Sequence, residues 1–238
     1  MRFIPITLLL LTINITAGCS YVKKPETMLH YLIREPKIKS AKPPVIIMMH
    51  GYGSNEADLF SLAQYLPDKF LVVSARGPQT LGAESYAWYQ ADFSKDPPLI
   101  NKAQADSSRK AILDFIDDLQ QAHPFDETQI YLIGFSQGAI MAYSLGLTEP
   151  HKFKGIAAMS GRILNEMKPI VAPQEKLKGL NIFITHGTND PVINIKNARE
   201  SKAFLNTLNI QPIYKEYPEG HTISQQMLVD LVTWLNGK

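Results

Sequence analysis

The chain has 238 residues, 45% of them hydrophobic and 19% charged, enough for one α/β domain with a buried core and too few for two large ones. Its 24 basic and 22 acidic side chains leave a net charge of +2, so no electrostatic footprint argues for nucleic acid as a partner. The single cysteine excludes an internal disulfide.

Residues 1–18 read as a signal peptide. Arg2 supplies a positive start, and 3–17 are apolar apart from Thr7, Thr12, Asn14 and Thr16. That stretch is shorter and more interrupted than the roughly 20 apolar residues of a membrane span. It ends in Thr16-Ala17-Gly18-Cys19. The segment resembles a bacterial lipoprotein signal, with Thr16 where such a signal usually carries an aliphatic residue. The resemblance implies cleavage before Cys19, a lipid on its sulfur, a lipidated tether over 19–27 and a folded domain over 28–238. It also implies an extracytoplasmic location with the membrane as partner through the anchor. Ser20, where Asp would signal inner-membrane retention, points to outer-membrane sorting in a two-membrane bacterium. The eight residues 20–27, fully extended, reach at most about 28 Å, so the domain is expected close to a membrane surface. A simple secretory signal cut nearby is the alternative reading.

Beyond the tether, strand and helix patterns alternate. Residues 29–33 read as an edge strand and Val45–Met49 as a fully apolar strand. The spacing of Leu59, Leu62, Ala63 and Leu66 predicts a helix over 55–66, stopped by Pro67. A buried strand follows over 70–73, then a Gly-, Pro- and aromatic-rich loop over 76–99. Lys102–Ala122 is an amphipathic helix, with Ala105, Ile112, Phe115, Ile116 and Leu119 in register and Pro124 just beyond. Then come strand Ile130–Phe135, a helix over 137–147, strand Gly155–Met159, and a polar, Pro-interrupted stretch over 162–179. A strand over 181–185, a helix over 195–208, strand Ile213–Tyr217 and a helix over 222–235 complete the chain. Apolar strands separated by helices argue for a mostly parallel sheet covered on both faces. In such sheets ligands bind beyond the carboxyl ends of the strands.

Gly134-Phe135-Ser136-Gln137-Gly138 matches the G-x-S-x-G pattern, entered from an apolar strand and left into a helix. A strand that turns sharply into a helix brings the flanking side chains into collision, and glycine at both places removes them. Ser136 then stands at the tip of the turn, beside a helix N-terminus that favours developing negative charge. The plainer reading is a helix-capping serine between packing glycines.

Hydrolases with this elbow order their triad as serine, acid, histidine. One aspartate, Asp190, lies between Ser136 and the C-terminal histidine, and one histidine, His221, follows it. Both fall just after strands, as Ser136 does. A neutral serine hydroxyl is a poor nucleophile, so His221 is expected to take its proton, with Asp190 fixing the imidazole tautomer. Asp114, Asp117 and Asp118 read as the solvated face of a helix. His30, His123 and His151 read as structural or exposed, and His186 as a packed, hydrogen-bonded side chain.

Acyl transfer also needs two backbone N–H groups aimed at the developing oxyanion. Gln137, directly after the serine, supplies one candidate. The turn His50-Gly51-Tyr52-Gly53, at the end of an early strand, supplies the other in the Tyr52 N–H.

Six blocks carry a family resemblance: His50-Gly-Tyr-Gly, Arg76-Gly-Pro, Ala87-Trp88-Tyr89, Gly134-Phe-Ser-Gln-Gly138, His186-Gly-Thr-Asn-Asp190 and Gly220-His221. Together they resemble the phospholipase/carboxylesterase family of α/β-hydrolases, which includes the acyl-protein thioesterases, over roughly residues 28–236. The resemblance implies an α/β-hydrolase fold and an esterase or thioesterase working through an acyl-enzyme, with no metal and no organic cofactor. It assigns the oxyanion hole to Tyr52 and Gln137 and places Trp88 near the acyl pocket, where a plain core aromatic is the other reading. Tyr52 departs from the small aliphatic residue usual in thioesterase relatives. The leading expectation is therefore a serine carboxylesterase acting on a small-molecule or lipid ester. The alternatives are a lysophospholipase or phospholipase at the membrane surface, or a catalytically idle binding lipoprotein.

Overall fold

A computed structural model describes residues 29–95 and 98–237. Residues 1–18, the tether 19–27 and Cys19 lie outside the described residues.

Seven strands form one sheet: β1 (Tyr31–Arg34), β2 (Val45–Met49), β3 (Leu71–Ala75), β8 (Ile130–Phe135), β9 (Gly155–Met159), β10 (Asn181–Gly187) and β11 (Ile213–Tyr217). Their spatial order is β1-β3-β2-β8-β9-β10-β11. Only β1 runs antiparallel, against β3; the other pairings are parallel. The side-chain period of two divides the core into two layers. Val45, Ile47 and Met49 of β2 face the layer holding α2 (Lys102–Ala122), α3 (Gln137–Thr148) and α4 (Ile195–Thr207). Ile46 and Met48 face the layer holding α1 (Glu56–Phe60) and α5 (Gln225–Leu235). This is the α/β-hydrolase architecture expected, a mostly parallel sheet with helices on both faces.

The strand order reverses between β2 and β8, so their outgoing connections leave in opposite directions and open a crevice at their carboxyl ends. The turn after β2 and the elbow after β8 meet there.

Strands expected over 29–33 and 70–73 are shifted to Tyr31–Arg34 and Leu71–Ala75, and four larger differences from the sequence expectation have a local cause. The helix over 55–66 is split into α1 and a separate 3-10 turn at Ala63–Tyr65. Asn55 caps α1 by accepting from Ala57 N–H, and Ser61 Oγ donates to the Asp58 carbonyl at 2.6 Å, diverting a helical acceptor. The loop over 76–99 contains two small hairpins, β4 (Gln79–Gly82) with β5 (Ser85–Ala87) and β6 (Ala91–Asp92) with β7 (Leu99–Ile100). Strand β10 runs on to Gly187, because His186 and Gly187 still pair with Glu216 and Tyr217 of β11. The last helix starts at Gln225, capped by Ser224, which leaves 221–224 as loop. Among the described residues no helix is long and apolar enough to cross a membrane.

Candidate active site

Ser136 stands between the end of β8 and the start of α3 with φ 54° and ψ −116°, a conformation that L residues occupy at a cost of about 1–3 kcal/mol. The two glycines make it possible. A Cβ on Gly134 would lie 2.2 Å from the Gly138 carbonyl oxygen, and one on Gly138 would lie 1.9 Å from that of Met49. The elbow is thus wedged against its own helix and against β2. Ser136 N–H donates to the Met159 carbonyl at 2.9 Å, which ties the turn to β9.

His221 comes from the loop after β11. Its Nε2 lies 2.9 Å from Ser136 Oγ and its Nδ1 2.7 Å from Asp190 Oδ2. A carboxylate only accepts, so Nδ1 carries the ring proton and Nε2 is left as the acceptor for the serine hydroxyl. Phe135 packs against the imidazole, ring centroids 4.9 Å apart. Asp190 is buried, and its Oδ1 accepts from the N–H groups of Val192 and Ile193 at 2.8 and 2.9 Å. Asp-Pro at 190–191 therefore both starts a turn and holds the carboxylate. The three residues proposed from sequence order are brought together in one hydrogen-bonded chain, an arrangement suited to drawing a proton from the hydroxyl as it attacks a carbonyl carbon.

His186, read from sequence as a packed residue, is fully buried, and its Nε2–H donates to the Ile193 carbonyl at 2.6 Å. Burial lowers its pKa and keeps the ring neutral. Its Nε2 is also 3.2 Å from Asp190 Oδ2, the same oxygen that accepts from His221.

The backbone N–H groups of Tyr52 and Gln137 have no hydrogen-bond partner among the described residues. Gln137 opens α3, where the helix dipole favours negative charge. The turn at 51–53 abuts the nucleophile, since a Cβ on Gly51 would lie 3.3 Å from Ser136 Cβ. The Tyr52 ring is partly exposed and meets Phe93 edge-on, centroids 5.0 Å apart.

Trp88 is fully buried, with no surface open to a ligand, so the core-aromatic reading is the one its surroundings match. Its indole N–H donates to the His50 carbonyl at 2.9 Å, and its backbone N–H donates to Gln137 Oε1 at 2.8 Å. The Gln137 amide then donates to the Tyr89 carbonyl at 2.7 Å. Sequence reasoning valued Gln137 for its backbone and missed this side-chain bracket, which no local pattern announces. It also missed the pairing of Arg76 with Glu56, a close bidentate contact at 2.5 Å that fastens the start of the hairpin segment to α1. A depression of about 220 Å³ opens beside His221, lined by Asp58, Leu59, Leu62, Phe135 and Ile223.

Fold and site define a serine hydrolase of the α/β-hydrolase class that acts on ester bonds. Residues 31–237 match the model of the phospholipase/carboxylesterase family, and the chain belongs to that family. It is 29% identical over 208 residues to acyl-protein thioesterase 1 of Kluyveromyces lactis, covering 81% of this chain and 90% of that protein. It is 25% identical over 173 residues to esterase YpfH of Escherichia coli, covering 71% and 70%. The crystal structure of a Bacillus cereus carboxylesterase superposes with a TM-score of 0.76 at 25% identity, covering 89% of this chain and 95% of that one.

Proposed function

We propose that the protein is a carboxylesterase in which Ser136 attacks the ester carbonyl, His221 relays the proton and Asp190 orients and stabilises the imidazole. The observation that carries this reading is the continuous chain from Ser136 Oγ through His221 to Asp190, 2.9 and 2.7 Å long in its two links. As Oγ bonds to the carbonyl carbon, its proton passes to His221 Nε2 and the carbonyl oxygen becomes an oxyanion between the Tyr52 and Gln137 N–H groups. Collapse of this intermediate expels the alcohol, which takes the proton from Nε2 and leaves an acyl-Ser136. Water then enters along the same path, with His221 again as base, and releases the acid.

The N-terminal segment places this chemistry in our reading. Lipid on Cys19 would hold the domain within a short tether of a membrane, where single-chain lipid esters are at hand. That supports lysophospholipid as a substrate alongside soluble esters. Acyl-length profiling with p-nitrophenyl esters, run on the soluble domain beside its Ser136→Ala variant, tests the core of the proposal. Turnover by the wild type and none by the variant is the expected result; a folded wild type as inert as the variant on esters, thioesters and lysophospholipid would replace it with the binding-lipoprotein reading. Mass spectrometry of the membrane-bound protein and of Cys19→Ser tests the anchor, expected only with Cys19 intact.

A further inference from the structure

We propose that His50 is a positioning residue of the oxyanion hole: its Nδ1–H holds the Gly51 carbonyl, and so turns the N–H at the other end of that peptide, on Tyr52, toward Ser136. The inference rests on the serine-esterase reading and adds a residue to its machinery.

The tautomer follows from the partners. His50 is fully buried. Its Nε2 lies 2.9 Å from the backbone N–H of Gly77, which can only donate, so Nε2 carries the lone pair. The proton of the neutral ring is therefore on Nδ1, which lies 2.7 Å from the Gly51 carbonyl oxygen. Burial pulls the pKa of this histidine down and keeps it in that neutral form.

The consequence lies in the peptide that the carbonyl belongs to. A trans peptide is planar, with its C=O and N–H pointing in opposite directions. Fixing the Gly51 oxygen on one side therefore fixes the Tyr52 N–H on the other. Ser54 N–H donates to the same oxygen at 3.3 Å, closing a turn in which Gly53 takes φ 81°. Of the two bonds the imidazole's is much the shorter. The side to which Tyr52 N–H is turned carries no protein acceptor for it among the described residues, and the turn sits against Ser136.

His50 is itself held from three directions. Gly77 N–H pins one ring nitrogen, the Trp88 indole pins its backbone carbonyl, and the Trp88 ring lies 5.4 Å from the imidazole. The hairpin segment thus reaches the Gly51 carbonyl through this side chain, while its backbone bonds from Tyr86 hold the far side of the turn at Gly53 and Ser54.

The test compares His50→Asn, His50→Gln and His50→Leu with the wild type and Ser136→Ala on p-nitrophenyl acetate. Leu offers no donor, and kcat is expected to fall about 100-fold with KM little changed, the signature of a lost oxyanion donor. Asn sets an amide N–H near the Nδ1 level and is expected to recover about tenfold of that loss. Gln reaches the Nε2 level, satisfies Gly77 instead, and is expected to stay near Leu. Equal kcat for Asn and Gln at matched melting temperatures would overturn the latch, as would a loss confined to KM. If the Leu variant does not fold, the Asn–Gln pair decides alone. An inert wild type would remove the esterase reading and this proposal together. Independently of activity, long-range 1H–15N spectra of the wild type must show His50 as the Nδ1–H tautomer; an Nε2–H tautomer would overturn the proposal by itself.

Discussion

The elbow at 134–138 and the hairpin segment at 76–100 both border the catalytic crevice, and they are held in place by opposite means. The elbow is fixed by backbone pressed against backbone, with no room for a methyl group at either glycine. The hairpin segment is also tight inside, a Cβ on Gly77 falling 2.6 Å from the Ala87 carbonyl oxygen, but polar side chains fasten it to its neighbours: His50 on Gly77, Gln137 on Trp88 and Tyr89, and Arg76 on Glu56. Backbone contacts run from Gly53 and Ser54 to Tyr86 as well. Steric fixation tolerates no substitution at the contact, whereas polar fixation can be loosened one bond at a time. In the proposed mechanism the Ser136 hydroxyl sits on the first kind of support, and the Tyr52 N–H leans on the second.

The comparison is broken most sharply by adding one methyl group to each region. Gly138→Ala drives a Cβ to 1.9 Å from the Met49 carbonyl oxygen and 2.8 Å from that of His50, so β2 and α3 must part. Esterase activity is expected to fall more than 1,000-fold, with a destabilisation of at least about 3 kcal/mol in urea unfolding. Gly82→Ala, in the hairpin, meets nothing within 4 Å and should stay within about 0.5 kcal/mol with full activity. Similar outcomes at the two sites would erase the distinction.

Gln137→Ala probes the polar supports. It keeps the backbone N–H offered to the oxyanion but strands the buried Trp88 N–H and Tyr89 carbonyl. Two orphaned backbone groups cost about 2–4 kcal/mol together, while kcat should fall by less than about tenfold. Chemical denaturation with parallel kinetics separates the two effects; a large kcat loss at unchanged stability would mean that the side chain works in the chemistry instead.

The same distinction explains what the sequence made legible. Steric fixation leaves local marks: two glycines around a serine, an apolar strand before it, a helix pattern after it. The order of Ser136, Asp190 and His221 added a second mark, because one aspartate and one histidine were available in the right intervals. Polar fixation leaves none. Gln137 brackets residues 48 and 49 positions away, and Glu56 pairs with a residue 20 positions away, separations at which no periodicity operates. The hairpins of 76–100 were read as loop for a related reason, since strands of two to four residues are too short to show alternation. For Trp88 the family block suggests the acyl pocket and its residue type equally suggests a core aromatic, and a block match does not report how deeply a ring is buried.

The smallest expected effect concerns the pair that fastens the hairpin segment to α1, and it depends on pH. Burial pushes the Glu56 carboxyl up, but its hydrogen bonds and attraction to Arg76 outweigh this and hold it below the ordinary value of 4.5. A carboxyl more acidic in the fold than in the unfolded chain stabilises the fold at all pH above the ordinary value. That contribution drains away as pH falls from 4.5 toward the folded value. Glu56→Gln should therefore lower stability by about 2 kcal/mol at pH 7, with the gap to the wild type closing as the pH falls below 4.5. The Arg199–Glu216 pair is the control. It holds the Glu216 carboxyl near about 2 but lies at the surface, where solvent screens the pair, so Glu216→Gln should change stability little at any pH. Melting curves by circular dichroism across this range decide between them. A Glu56→Gln gap that persists unchanged in acid would show that the side chain supports the segment by packing, and the hairpin would then belong with the elbow rather than opposite it.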